Sequence, residues 1–137
     1  VRRGLGRAQL GTEQLEAAQV RMKEITSNHL PRTKAEIVFG DGYPALAPTE
    51  GNYKLLGYFD KVSKDLGYGP VRAVNPRDAG AADISFTSGY VDMALDGLGL
   101  RSHSGHTVNE TADPRTLPMQ TKRTAVLLYR LSYNKVQ

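Results

Sequence analysis

The chain has 137 residues, a mass of 15.0 kDa and 39% hydrophobic residues, proportions of one soluble domain rather than of a collagen-like or wholly disordered chain. The 18 Lys and Arg exceed the 14 Asp and Glu by a net charge of +4, spread without a basic block, which is weak support for nucleic-acid binding. The absence of cysteine excludes disulfides, thiolate nucleophiles and Cys-type zinc sites, and the longest apolar run, Ala125-Val126-Leu127-Leu128-Tyr129, is far short of a membrane span.

Val1-Arg2-Arg3 opens the chain without an initiator Met or a signal peptide, which reads as a piece of a longer chain, although processing or cloning explains it equally well. Thr12 predicts a helix cap, with Glu13 in the first turn where the macrodipole favours an anion. Leu15, Ala18, Met22 and Ile25 make one apolar stripe, and Pro31 ends it. His29 is expected near the C-terminus of this helix in a structural role. The alternation of Ala35, Ile37 and Phe39 with Glu36 and Val38 predicts a short strand. From Gly40 to Gly51 the sequence is rich in turn-formers and reads as a hinge between two packing units.

A second helix is predicted from about Glu50 to Leu66, with Leu55, Phe59, Val62 and Leu66 on one face and Gly67 at the C′ position. Val71 to Val74 reads as a strand. Asp78 to Asp83 reads as a small-residue turn, and Met93 to Leu100 as a buried strand. Arg101 to Arg115 has no period and is expected to be a long loop. Length and Pro118 favour a helix over Thr116 to Tyr133. This alternation suggests an α/β layer.

The polar interest concentrates after Leu100, where ligands bind in open α/β sheets. His103 and His106 are either metal ligands or solvated loop histidines, and no H-E-x-x-H signature decides between them. Asp83, after Gly80-Ala81-Ala82, is either part of a nest for a substrate carboxylate or a helix cap. No Ser/His/Asp triad and no dinucleotide fingerprint is present.

Several motifs, in order, cover nearly the whole chain: Val1-Arg2, Tyr43-Pro44, Gly80-Ala81-Ala82-Asp83, Leu98-Gly99-Leu100, Gly105-His106-Thr107 with Glu110, and the final helix. In this order the chain resembles the C-terminal part of the di-zinc metallopeptidase family twenty. That family includes glutamate carboxypeptidase, acetylornithine deacetylase, succinyl-diaminopimelate desuccinylase and aminoacylase. The resemblance implies an α/β (α+β) fold in two parts. Residues 1–43 would be the C-terminal part of a lid or dimerisation domain, and residues 44–137 the C-terminal part of a zinc-peptidase catalytic domain.

The resemblance also implies roles. His106 matches a metal ligand, Arg2 a binder of the substrate carboxylate, and Ala81, Ala82 and Asp83 the turn beside the substrate. Ala81-Ala82 departs from the commoner Gly-Thr, so a Thr hydroxyl contact is replaced by backbone contacts alone. Glu110 is expected to order the loop or to stand behind the metal ligand. Two zinc ions would serve the whole active site, with one ligand in this chain, so these 137 residues alone are expected to be inactive. The implied substrate is a peptide or an N-acyl amino acid. A homodimer through residues 1–43 is expected, with no nucleic-acid or membrane partner. The compartment, cytoplasmic or periplasmic, stays open. A non-catalytic dimerisation or interaction module is the alternative.

Overall fold

The structure, a computed structural model, describes residues 12–40, 42–44, 46, 48–75 and 82–133. Among the described residues, the elements are helices α1 (Thr12–Ser27), α2 (Glu50–Asp65) and α3 (Leu117–Ser132) and one antiparallel pair, β1 (Arg101–His103) and β2 (Thr111–Asp113). Short 3-10 helices span Asp83–Thr87 and Pro114–Thr116. The fold is mixed, with helices and a small antiparallel sheet. No described helix is long and apolar enough to cross a membrane. The chain divides into two compact units, one from Val1–Pro48 and Val74–Val91, the other from Thr49–Ala73 and Asp92–Gln137.

In the first unit, α1 ends at Ser27, so His29 lies beyond it rather than inside its last turn. The Thr26 hydroxyl donates to the Met22 carbonyl at 3.0 Å and the Ser27 hydroxyl to the Glu24 carbonyl at 2.7 Å. Such side-chain bonds compete with further helical turns. The strand expected at Ala35–Phe39 is absent. Ile37 and Phe39 are half-buried and Val38 is exposed, so the one-sided burial of a strand is present. Among the described residues, however, no neighbouring segment pairs with it, and a strand is defined by its partner.

The second unit is built on α2 and α3. Thr49 caps α2, its hydroxyl accepting from Asn52 N at 3.1 Å. The helix ends in a Schellman arrangement: Gly67 takes φ +76, Gly67 N donates to the Lys64 carbonyl and Tyr68 N to the Ser63 carbonyl, both at 2.9 Å. Phe59 and Val62 pack against Leu127 of α3, with Leu55, Val71, Leu95, Leu98 and Leu131 around them. Arg130 Nη1 meets Asp65 Oδ2 at 2.6 Å and ties the same two helices. A Cβ on Gly51 would overlap the Asp92 carbonyl oxygen, so only glycine allows that segment to lie so close to α2.

Neither Val71–Val74 nor Met93–Leu100 is a strand, and the expected α/β layer of parallel strands is not formed by the described residues. One amide of each segment is taken by a side chain of α2 instead. Asp60 Oδ1 accepts from Val71 N at 2.8 Å, and Asn52 Oδ1 accepts from Ala94 N at 2.7 Å. Gly97, at φ +75, further interrupts the second segment.

Lys64 Nζ, at 2.5 Å, and the Val71 amide both stabilise the Asp60 carboxylate and hold its pKa below the usual range. A lowered carboxylate pKa adds stability that is complete above the unfolded value, near ~4, and drains away as pH falls through the folded value. Asp60→Asn is therefore expected to flatten the fall of Tm below about pH 4, read by circular dichroism across a pH series. A variant whose acid profile matches the parent's would remove Asp60 from that role.

Candidate functional site

The stretch Arg101 to Arg115, expected to be a loop, is a hairpin closed by a 3-10 turn. Arg101, Ser102 and His103 face Asp113, Ala112 and Thr111. Strands of three residues are too short to leave an alternating pattern in the sequence.

The tip of the hairpin runs from Ser104 to Glu110. Thr107 Oγ1 donates to the Ser104 carbonyl at 2.7 Å, and Glu110 N donates to the Thr107 carbonyl at 3.1 Å. Asn109 N donates to Thr107 Oγ1 at 3.2 Å. His106 N donates to Glu110 Oε2 at 3.0 Å. Ser104 and His106 take φ values of +55 and +64, in the left-handed region. There an L side chain costs roughly 1–2 kcal/mol, and such conformations cluster at functional positions. The four hydrogen bonds hold this backbone, and His106 is exposed at the tip.

Below the tip, His103, Thr111, Ala112, Asp113, Pro114 and Arg115 line a shallow depression of about 380 Å³. Arg115 grips Asp113 through both carboxylate oxygens, Nε to Oδ1 at 2.8 Å and Nη2 to Oδ2 at 2.9 Å. The guanidinium holds the Asp113 carboxyl below the usual range, and the carboxylate in turn raises the Arg115 pKa. Asp113 is thus committed to an ion pair at the rim.

No protein-family model, curated protein or solved structure matches the chain.

The turn that carries Ala82 and Asp83 belongs to the first unit. Asp83 does not cap a helix. It is the first residue of the 3-10 helix Asp83–Thr87, and Ala82 stands at the N-cap with no side-chain bond. Asp83 Oδ1 instead accepts from the Tyr43 hydroxyl at 3.0 Å, and the Tyr43 ring lies 5.2 Å from that of Phe86. The hydrogen bond to Asp83, with the carboxylate's charge, raises the Tyr43 pKa, because a phenolate there would face a second anion. Sequence reasoning placed Tyr43 in a hinge and missed this pair. Forty residues separate the partners, so no local spacing signals it.

Arg2 and Ala81 lie outside the described residues. His106 and Glu110 are brought together in one turn, with the carboxylate bound to the histidine's own amide. His29 is exposed beyond α1, its Nδ1 3.3 Å from the Leu30 carbonyl oxygen. Among the described residues, no three His, Asp or Glu side chains converge as a metal-holding group. The exposed His106 imidazole suits one ligand position. A zinc site needs three or four donors, and among the described residues this turn supplies one imidazole.

Proposed function

We propose that the chain forms part of a zinc-dependent amidohydrolase or carboxypeptidase that hydrolyses an amide or peptide bond next to a free carboxylate. One observation carries the reading: His106 is exposed at the tip of a hairpin, in a left-handed conformation, with the Glu110 carboxylate bonded to its backbone amide. Zinc, when bound, supplies the Lewis acidity that makes water a nucleophile towards an amide carbonyl. His106 contributes one imidazole to hold it. Glu110 holds the backbone of that residue by accepting from its amide. Arg2 presents a guanidinium fork to the substrate carboxylate. Ala81 and Ala82 keep bulk away from the turn beside Asp83, so that backbone amides reach the substrate. In this reading residues 1–43 close a lid or dimerisation domain and residues 44–137 belong to the catalytic domain.

The test is a comparison of substrates in the full-length gene product. Arg2→Ala is expected to raise KM for an N-acyl amino acid with a free carboxylate by about 30-fold, the equivalent of roughly 2 kcal/mol for a charge-assisted bond, and to leave zinc content alone. An uncharged amide of the same substrate should show no such change. Equal losses with both substrates would remove Arg2 from the carboxylate site, and a parent that hydrolyses neither would remove the hydrolase reading.

A second reading is favoured by the exposed apolar face of α1, where Leu15, Met22 and Ile25 are 36%, 47% and 56% exposed. A face of this kind supports self-association through residues 1–43 as a homodimer. In the absence of hydrolysis, association alone would be the role.

A further inference from the structure

Asp96-Gly97 lies in the second unit, in the stretch that leads into β1. Both residues are exposed and stand outside any helix or strand. Gly97 takes φ +75, and the space where a Cβ would stand is open, with nothing within 4 Å. Among the described residues, nothing bonds to the Asp96 carboxylate or to the Gly97 amide. The side-chain carboxyl carbon and the amide nitrogen that follows it are thus adjacent, unhindered and unengaged.

The other described aspartates lack this combination. Asp60 and Asp65 lie in α2, where the backbone is fixed. Proline follows Asp113 and brings no N–H. Ile84 follows Asp83 with a branched Cβ, and the Asp83 carboxylate already accepts from Tyr43. Asp92 is followed by Met93 rather than by glycine.

The segment around Asp96 is held at both ends. Ala94 N donates to Asn52 Oδ1 at 2.7 Å, and the Gly99 carbonyl accepts from Gln120 Nε2 at 2.8 Å. Between these anchors Leu95 and Leu98, one on each side of the pair, pack against the cluster of Phe59, Val62 and Leu127.

We propose that Asp96 is a site of spontaneous backbone modification, at which aspartate converts to isoaspartate in the folded protein. The Gly97 nitrogen attacks the carboxyl carbon of the Asp96 side chain. A C–N bond forms, the amide proton and the carboxyl hydroxyl leave as water, and a five-membered succinimide ring results. Water then opens the ring. Opening at the former backbone carbonyl routes the main chain through the side-chain carbon, and opening at the other carbonyl returns aspartate. One water leaves and one enters, so the composition is unchanged. The product carries one more methylene in its main chain, a lengthening of about 1.5 Å. A segment tied at Ala94 and Gly99 cannot take this up without moving Leu95 or Leu98, and a close-packed interior transmits the shift.

The experiment ages the full chain for weeks at physiological temperature and neutral pH. It then follows the tryptic peptide Asp78–Arg101 by chromatography with electron-transfer fragmentation, which tells isoaspartate from aspartate position by position. Isoaspartate is expected at Asp96 ahead of Asp78, Asp83 and Asp92. The other Asp-Gly pair of the sequence, Asp41-Gly42, falls in a different peptide, Ala35–Lys54, and is scored separately. The aged chain is expected to melt about 4–8 °C lower, the shift of a modest packing defect in a small domain. Isoaspartyl methyltransferase with S-adenosylmethionine, which returns isoaspartate to aspartate, should recover the lost Tm. Asp96→Glu keeps the charge but would have to close a six-membered ring, so it should form no product and hold its Tm through ageing. Three results overturn the proposal: an aged chain without isoaspartate at Asp96, conversion there with an unchanged Tm, or an Asp96→Glu chain that loses Tm as the parent does.

Discussion

His106→Ala in the full-length gene product is expected to release zinc and to remove most hydrolysis. Loss of a partner behind a metal ligand already costs about 10–100-fold in affinity or activity, and loss of the ligand itself should exceed that. On the proposed reading, the replacement removes one of the few protein ligands that a catalytic zinc keeps. A glycine variant separates this effect from folding. At φ +64 alanine retains the cost of a left-handed L residue, whereas glycine does not. His106→Gly should therefore be as stable as the parent or more stable, by up to roughly 1–2 kcal/mol, while showing the same loss of metal and turnover. Metal analysis, turnover and Tm on the three proteins provide the check. Unchanged zinc content and turnover in both variants would remove His106 from the site.

Phe59→Ala is expected to be the most damaging single change to the second unit. Phe59 is 3% exposed and forms the buried cluster with Val62 and Leu127. Truncating a buried phenylalanine costs about 3–5 kcal/mol, a large share of the roughly 5–15 kcal/mol that holds a typical domain together. The variant should lose its cooperative transition or show it at a much lower denaturant concentration. The small size of the buried cluster magnifies the effect, because few neighbours remain to close around the cavity. A loss under about 1 kcal/mol in urea titration would contradict the packing described, given the usual cost of such truncations.

The helices were the most legible part of the fold. The apolar stripe of α2, with Gly67 after it, marks both its face and its end, and Pro118 with the length of the last segment marks α3. The strands were not legible, because pairing is a non-local fact. Residues 35–39 carry the alternation of a strand, and Ile37 and Phe39 are more buried than Val38, but no described segment lies alongside them. The amides of Val71 and Ala94 find Asp60 and Asn52, side chains that nothing in those local patterns names. At the candidate site, the spacing of His106 and Glu110 is local and readable. The Tyr43–Asp83 bond is distant, and so is the bond from Arg101 N to the Thr116 hydroxyl, at a residue that reads as the first of the last helix.

The second unit is assembled from Thr49–Ala73 and Asp92–Gln137, with the segment Val74–Val91 of the other unit between them in the chain. During translation α2 leaves the ribosome with Phe59 and Val62 already on one face, before their partner Leu127 has been made. Roughly 70 residues separate Phe59 from Leu127, and at synthesis rates of about 5–20 residues per second the face waits uncovered for several seconds. A nascent chain stalled in that interval carries a helix with an apolar side and no mate. That species, rather than the finished protein, is the one a chaperone would meet.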